Sequence, residues 1–451
     1  MSDANGPGPD RAPAGLAGRL AALRESDIGK AAGLAIAMIV NNVIGLAAVV
    51  VFSRLLDDYG SLAALIAYYL ILSVAGQAMQ VATARDSVLG RLGTGHALAA
   101  TLRGWTRALL ALAAGLAVVS VLLRAPIASA VGVHQEWAAA IGLPAGVLWL
   151  WLSILRGALQ GVGDYRSVGL SLIGEQGSRL VFGGALAATS LDVTGAYLGT
   201  PLSLIATALY CERMLHRRIG VPARGDQIAV RLREHVERAW APIAGLALIA
   251  LLQNIDIIAA KHRFSKDVAS SYGATAVAAK VLVWIAIGAG FYLVPEASRR
   301  HAEGEDARPV LLRALAIVLV CAVPVLAIFA FGGHELIKLA FGADRLLAVN
   351  ALLPLGIAFT LLAITYLSIQ YLLALRRTWF LVPLAAVAIA EPVLLLTVAP
   401  GKPSGFATVV LALQGAAAAL TLGLALRERA AAPVPLPPTV LAEEALEPPA
   451  A

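Results

Sequence analysis

The sequence is poor in charged residues and in cysteine, and each shortage excludes a class of protein. Asp, Glu, Lys and Arg make up 14% of the 451 residues, against about 25% in an average soluble domain. The two cysteines, Cys211 and Cys321, lie in apolar runs and form neither a disulfide framework nor a metal site. The histidines of the loops lack a ligand spacing, and no glycine-rich nucleotide-binding loop occurs. We therefore expect no metal, no cofactor and no ATP hydrolysis by this chain.

The sequence is instead rich in long hydrophobic runs. Hydrophobic residues form 59% of the chain, and about 20 apolar residues suffice to cross the hydrocarbon core of a bilayer. This pattern predicts an all-α, polytopic integral membrane protein with about twelve transmembrane helices. The predicted spans are 31–52, 61–83, 105–123, 137–157, 167–189, 193–212, 240–260, 269–294, 309–331, 347–372, 379–398 and 405–426.

The positive charge is distributed unevenly between the loops. With both termini placed in the cytoplasm, the cytoplasmic segments hold 25 of the 35 Lys and Arg residues and the outer loops hold 8; Arg179 and Lys280 lie within spans. This asymmetry is the positive-inside rule, and it predicts a multi-pass plasma-membrane protein with both termini cytoplasmic. The net charge of +7 therefore indicates contact with anionic lipid headgroups rather than with nucleic acid.

A basic central loop divides the chain into two halves of six spans. We predict a disordered cytoplasmic N-terminus, an N-terminal six-helix bundle, a basic cytoplasmic linker, a C-terminal six-helix bundle and a disordered Pro-rich tail. An even number of spans gives both halves the same orientation, as in the parallel repeats of some transporters. Chance similarity between Ala- and Leu-rich spans is the alternative explanation. The predicted bounds of the five segments are 1–27, 28–213, 214–239, 240–427 and 428–451.

Polar residues inside the predicted spans are the candidates for a functional site. Asp256 lies inside a predicted span, where a carboxylate costs several kcal/mol unless it faces a polar cavity or a partner. Lys280 is likewise a charged residue inside the next span. Both are either part of a cavity wall or a buried structural pair. A cavity wall or helix–helix hydrogen bonding explains the amides of the first two spans equally well. These amides are Asn41, Asn42, Gln77 and Gln80.

Two further carboxylates have simpler explanations. Glu175 and Arg179 are four residues apart in the fifth span, so they face the same way and are predicted to form an internal ion pair. Glu391 precedes Pro392 and is predicted to satisfy backbone groups freed by the proline kink. A polar interior within so apolar a chain is typical of a protein that moves a polar solute through a bilayer.

Four motifs in order along the chain resemble one transporter family. The turn Arg54-Leu55-Leu56-Asp57-Asp58-Tyr59-Gly60 follows the first span, and Lys261-His262-Arg263 with Tyr272-Gly273 follows the seventh. Together with Leu155–Arg166 and Pro295-Glu296-Ala297, they resemble the O-antigen-type polysaccharide flippases of the multidrug/oligosaccharidyl-lipid/polysaccharide exporter superfamily. That first-loop signature usually carries a Gly-Pro before its acidic pair, which this chain lacks.

The resemblance implies a transporter and not an enzyme. We expect a flippase that moves a lipid-linked oligosaccharide or related polysaccharide precursor across the plasma membrane by alternating access. Two six-helix bundles would surround a central cavity in which Lys280 faces the lipid pyrophosphate. Expected partners are the glycan substrate, membrane lipids, and a glycan polymerase or glycosyltransferases of the same pathway. A cation-coupled multidrug or metabolite antiporter of the same fold is the alternative; a membrane glycan polymerase would need a larger outer loop.

Overall fold

The computed structural model describes residues 27–222 and 228–428, and these residues form sixteen α-helices, one 3₁₀-helix and no strand. The two terminal segments predicted to be disordered lie outside the described residues, apart from Asp27 and Glu428. The helices are α1 (Asp27–Leu55), α2 (Tyr59–Val88), α3 (His96–Leu122), α4 (Arg124–Val131), α5 (Glu136–Gly161), α6 (Tyr165–Ala187), α7 (Asp192–Ile219), α8 (Leu232–Arg238), α9 (Trp240–Arg263), α10 (Lys266–Ala279), α11 (Val281–Ala302), α12 (Arg308–Phe331), α13 (Gly333–Phe341), the 3₁₀-helix (Ala343–Ala351), α14 (Leu352–Ala374), α15 (Leu381–Thr397) and α16 (Pro403–Arg427).

The all-α membrane architecture predicted from the hydrophobic runs is confirmed. Within the described residues, nine helical segments are long and apolar enough to span a membrane, and α15 is a shorter apolar helix of 17 residues. Helices α6 and α7 occupy the fifth and sixth predicted spans and are long but less apolar. The eighth predicted span is divided at Lys280 into α10 and α11. Exposed side chains such as Val320 and Phe331, 72% and 93% exposed, cover the outer surface, as lipid contact requires.

The two halves of the chain pack in the same way. In the N-terminal bundle α1 packs on α6, both α2 and α3 pack on α5, and α7 packs on α5 and α6. In the C-terminal bundle α9 packs on α15, both α11 and α12 pack on α14, and α16 packs on α14 and α15. Each packed helix pair of the first bundle therefore has an equivalent pair six spans later in the chain. The protein consists of two bundles with the same pattern of helix packing.

Small residues bring the central helices of a bundle close together. The Cβ that Gly157 of α5 lacks would overlap the backbone carbonyl of Gln80 on α2. Close backbone approach at small residues is the usual way in which helices associate within a bilayer, where burial of apolar surface gives no driving force. This approach fixes α2 against α5 and so positions the polar side chains that lie between them.

The linker begins later than the sequence predicted. Helix α7 continues to Ile219, so that Arg213, Arg217 and Arg218 belong to its last turns and not to a loop. Basic residues in the final turns stabilise a helix because they face the negative end of its dipole. The segment from Gly220 to Ala239 then connects the two bundles and contains the seven-residue helix α8. The remaining domain bounds stay predictions.

Candidate functional site

The two bundles are joined at the end of the molecule where α1 ends and α2 begins. We call this region the closed end and define it as residues 53–63, 261–273 and 339–345. Lys261 Nζ donates to Asp58 Oδ1 at 2.6 Å, and the Gly60 N–H donates to Ser270 Oγ at 2.9 Å. Burial alone would raise the pKa of the Asp58 carboxyl, but hydrogen bonds from Lys261 and Ser61 outweigh it and lower the pKa below its usual range. Asp58 is therefore an ionised partner for Lys261.

Basic side chains at the closed end satisfy helix termini of the opposite bundle. Arg345 is 8% exposed and donates to the carbonyls of Ser53 and Leu56 at 2.9 and 2.8 Å. Arg54 Nη2 donates to Leu339 O at 2.5 Å. The last carbonyls of a helix have no partner within the helix, and a cation there also interacts favourably with the helix dipole. Arginines of each bundle thus donate hydrogen bonds to carbonyl groups at helix ends of the other bundle.

The two turns that resemble each other in sequence meet at this end. A Cβ on Gly60 would lie 3.0 Å from the Ser270 backbone nitrogen, and a Cβ on Gly273 would lie 3.0 Å from the Ala63 Cβ. Each glycine therefore permits the close approach of α2 and α10. The sequence repeat identified both Tyr-Gly pairs, but it gave no sign that one turn packs against the other.

Asp256 and Lys280 lie together inside the C-terminal bundle. Asp256 is fully buried and Lys280 is 6% exposed. Lys280 Nζ donates to Asn254 Oδ1 at 3.1 Å and lies 3.9 Å from Asp256 Oδ1, while the Tyr272 hydroxyl donates to Asp256 Oδ2 at 3.2 Å. The helical spacing places Asn254 and Asp256 on different sides of α9, yet the long lysine side chain contacts both. The burial favours the structural-pair alternative, and a cavity-lining role for the two residues stays a prediction.

Glu391 and Gln414 complete this group, which sequence reasoning did not assemble. Gln414 Nε2 donates to Glu391 Oε2 at 3.2 Å and to Leu252 O at 2.9 Å, and both side chains are fully buried. Glu391 therefore has an amide partner, in addition to any role at the proline kink. The C-bundle cluster comprises one cation and two carboxylates. Its members are Asn254, Asp256, Tyr272, Lys280, Glu391 and Gln414.

A second polar group lies inside the N-terminal bundle. Arg179 Nη2 donates to Glu175 Oε1 at 2.5 Å, which is the geometry expected from their spacing. Arg156 Nη1 lies 3.0 Å from Glu175 Oε2, and Arg156 Nε donates to Ser171 Oγ at 2.8 Å. Arg156 is fully buried. The N-bundle cluster, defined as Arg156, Ser171, Glu175 and Arg179, therefore contains two cations and one carboxylate.

Arg156 is the functional candidate that the sequence interpretation missed. The fourth predicted span ended near Arg156, which placed it beside the turn, whereas α5 continues to Gly161 and carries it inside the bundle. The positions of two residues relative to the turn between α5 and α6 could have indicated this burial. Arg156 and Ser171 lie about equally far from the turn at Gly163, so antiparallel packing of α5 and α6 brings them together.

The four predicted amide residues lie on α1 and α2, outside the two clusters. Asn41 Nδ2 lies 3.4 Å from Asn42 Oδ1, with Asn41 half-buried and Asn42 exposed. Gln77 is exposed and Gln80 is half-buried. In the described part of the chain no hydrogen bond connects these residues to either cluster. Their contact with a transported molecule stays a prediction.

Comparison with known proteins places this architecture among membrane transporters. No protein-family model and no curated protein matches the chain. A structure titled inward-facing conformation of a multidrug resistance MATE family transporter of the MOP superfamily has a TM-score of 0.69 at 13% identity, over 88% of this chain and 97% of that chain. The lipid II flippase MurJ, in an inward closed conformation, has a TM-score of 0.68 at 14% identity, over 87% of each chain.

The chain has the fold of the multidrug/oligosaccharidyl-lipid/polysaccharide exporter (MOP) superfamily, as its motifs predicted. The compared structures are transporters and not enzymes. An outward-facing MATE family structure has a TM-score of 0.63 at 13% identity, over 90% of this chain and 96% of that chain.

Proposed function

We propose that this chain is a flippase that moves a lipid-linked oligosaccharide or related polysaccharide precursor across the plasma membrane by alternating access. One observation supports transport by alternating access. Apart from contacts of the linker, the hydrogen bonds that the described residues make between the bundles all lie at the closed end. Opening at this end requires these hydrogen bonds to break and the packing of α2 on α9 to change, as in the rocking and hinge motions of alternating access.

The distribution of basic residues supports an orientation for this cycle. The linker and the last turns of α7 carry the largest group of arginines, and such residues remain in the cytoplasm during membrane insertion. In this orientation both termini are cytoplasmic and the closed end faces outward. The structure would then be the state that receives a substrate made in the cytoplasm, supplied by glycosyltransferases of the same pathway and consumed outside by a glycan polymerase.

Cation-coupled export of drugs or metabolites is the second candidate function. The MATE family similarity and the C-bundle cluster favour it, because the cluster holds two fully buried carboxyl groups, Asp256 and Glu391. Carboxyl groups buried within membrane spans are typical of proton relays in transporters. The two candidates differ in the molecule carried, and one reconstituted preparation can be tested with both.

Reconstitution of the full-length protein in liposomes tests the proposal. A lipid-linked oligosaccharide with a fluorescent sugar is incorporated into the liposomes, and the label is then depleted from one leaflet. A membrane-impermeant quencher reports, over time, the fraction of label in the outer leaflet. We expect the protein to exchange the label between leaflets faster than protein-free liposomes do. Transport of a cationic dye in place of the glycan, with no glycan movement, would refute the flippase and favour the antiporter.

A reversible disulfide across the closed end provides the matched control. The Cβ atoms of Ala63 and an alanine-like residue 273 would be 3.0 Å apart, so the two helices must separate by about 0.5 Å to reach the 3.5–4.5 Å found in disulfides. The double variant Ala63→Cys with Gly273→Cys should lose glycan movement when oxidised and recover it on reduction. Each single variant carries the same native cysteines and should show no redox effect. Equal movement by the oxidised and reduced double variant would refute opening at this end.

A further inference from the structure

The basic end of α7 carries an open groove on the outer surface of the N-terminal bundle, away from both buried clusters. The groove has a volume of about 890 Å³, within the range of about 300–1,000 Å³ that small ligands occupy in proteins. We call it the α7 groove. Among the described residues its lining consists of Ala206, Leu209, Tyr210, Glu212, Arg213, His216 and Arg217.

One side of α7 changes from apolar to basic at this groove. Four exposed residues follow one another at a spacing of four, which places them along the same side of the helix. They are Ile205, Leu209, Arg213 and Arg217. Ile205 and Leu209 are 39% and 55% exposed, as residues in contact with lipid chains are. The chemistry of this stripe therefore matches that of a lipid, whose apolar chains end in a polar headgroup.

Arg213 and Arg217 are available to bind an anion. Neither side chain makes a hydrogen bond or an ion pair with another described residue, whereas the neighbouring Arg218 is paired with Asp164 at 3.0 Å. Residues one turn apart on a helix have Cβ atoms about 5–6 Å apart, so the two guanidinium groups can reach the same phosphate. Arginine is well suited to this role, because its planar group donates two parallel hydrogen bonds to phosphate oxygens.

The remaining polar residues of the groove agree with a position at the membrane surface. Tyr210 is half-buried where the stripe changes from apolar to basic, and tyrosine is enriched at the level of the lipid headgroups. Glu212 and His216 line both this groove and a narrow cleft against α3. Glu212 is the one carboxylate among the described lining residues, so the two arginines leave the groove with an excess of positive charge.

We propose that the α7 groove binds one anionic phospholipid of the surrounding membrane, with the lipid phosphate on Arg213 and Arg217 and the acyl chains along Leu209 and Ile205. In the orientation proposed above, the groove faces the cytoplasmic leaflet, whose surface carries negative charge. This lipid is a resident of the bilayer and not the transported molecule. The site therefore does not depend on which substrate the protein carries.

Native mass spectrometry of the full-length protein in detergent tests the assignment, because it counts the lipids that stay bound to each protein molecule. The probes are phosphatidylglycerol and phosphatidylcholine with the same acyl chains, and each is titrated separately. Both contain a phosphate, but only phosphatidylglycerol has a net negative charge. We expect the first phosphatidylglycerol to bind more tightly than phosphatidylcholine. Equal affinity for the two lipids would overturn the proposal.

Removal of the two arginines should weaken this binding. The double variant Arg213→Gln with Arg217→Gln should lower the affinity for phosphatidylglycerol by about tenfold or more, since each basic residue near an anionic lipid surface contributes a factor of about five. Both side chains are exposed, so the variant should fold normally. Its thermal unfolding midpoint without added lipid checks this. An affinity equal to that of the natural protein would overturn the proposal.

A matched variant separates the groove from a diffuse attraction between basic residues and anionic lipid. Arg231→Gln with Arg233→Gln removes the same charge from the linker, which follows α7 directly. Both residues are exposed, and neither lines the groove. This variant should bind phosphatidylglycerol as the natural protein does. An equal loss of affinity in the two double variants would overturn the α7 groove as a specific site.

Two further measurements examine the charge and the apolar part of the site. Glu212→Gln removes a like charge from the groove and should strengthen binding of phosphatidylglycerol, whereas weaker binding would contradict the proposed position of the phosphate. Glycerol 3-phosphate has the headgroup chemistry without the acyl chains, and it should not displace the bound lipid. Displacement by this soluble anion would assign the groove to a free phosphate ester and overturn the lipid.

Discussion

At the scale of single residues, the effect of a buried ion on the stability of the protein depends on the partners that surround it. Lys280 is the single ammonium group among the described members of the C-bundle cluster; it donates to Asn254 and lies 3.9 Å from Asp256. Removing one partner of a buried ion pair typically costs about 3–5 kcal/mol, because the charge left behind is neither solvated nor paired. Replacing Asp256 by its isosteric amide should cost less, because Lys280 keeps its hydrogen bond to Asn254.

We predict that Lys280→Met lowers the stability of the protein by about 3–5 kcal/mol, while Asp256→Asn has a much smaller effect. Asp256→Asn leaves the hydrogen bond of Lys280 to Asn254 in place and keeps a side chain that still accepts the Tyr272 hydroxyl. The double variant should recover part of the loss caused by Lys280→Met, since the two residues are coupled. Thermal unfolding of the purified variants measures the effect. A loss from Asp256→Asn as large as that from Lys280→Met would show instead that the charge of Asp256 is needed to hold Lys280.

At the scale of secondary structure elements, the short linker helix α8 depends on its contacts for stability. Seven residues are too few for a helix that is stable by itself. His235 fixes α8 to the N-terminal bundle: it is 1% exposed, its Nε2 lies 3.1 Å from Thr83 Oγ1, and its ring stacks on Trp105 with centroids 4.8 Å apart. Trp105 Nε1 also donates to Val230 O at 2.9 Å. His235 is therefore one of several contacts that keep the linker docked, together with the bonds of Trp105 to Val230 and of Thr101 to Ala229.

Docking of the linker should weaken in acid. Burial lowers the pKa of His235 below its usual value of 6.5; Asp86 opposes this effect, and Arg238 and Arg85 add to it. Because the docked imidazole resists protonation more than an undocked one, its contribution is complete above 6.5 and is lost as the pH falls through the lowered pKa.

We predict that amide-exchange protection of residues 229–238, corrected for intrinsic rates, falls when the pH is lowered from about 7.5 to about 5.5. His235→Gln, which has no titratable group, should show weaker protection at the higher pH and no such fall. The core of α3 serves as the internal reference. Protection of this segment that is independent of pH in the natural protein would exclude His235 as the cause.

At the scale of the whole molecule, two bundles of like construction meet at one end and are connected by the linker at the other. Arg263 donates to Leu396 O and Ala399 O at 2.9 and 2.6 Å, which places the loop around Gly401 at the closed end. At the opposite end Arg377 donates to Glu428 beyond the last helix. The sidedness of the whole protein can therefore be read from two positions.

We predict that a reporter fused after Arg427 behaves as cytoplasmic and that one inserted at Gly401 behaves as extracytoplasmic. The physical reason is the excess of basic residues on the linker side, which resists translocation. Paired reporters that are active only in the cytoplasm or only outside measure both positions. A reporter after Arg427 that is active only outside would reverse the orientation and with it the direction of opening.

Local sequence patterns were sufficient to predict the helices and the resemblance to the superfamily. The length of each apolar run determines whether it can cross a bilayer, and the four-residue spacing of Glu175 and Arg179 places both on one helix face. The Tyr-Gly turns were visible for the same reason, since each is a short continuous motif. These properties depend only on residues that are near one another in the chain.

Only the tertiary structure decided which charges share a partner. Glu391 and Gln414 are separated by 23 residues, and Asp58 and Lys261 by 203. No periodicity in the chain records such contacts, because helix packing, and not sequence distance, sets which side chains meet. Arg156 was placed beside a turn until the register of α5 against α6 put it opposite Glu175. That one contact gives Glu175 a second arginine partner beside Arg179, because helix packing brings together residues that lie on different helices.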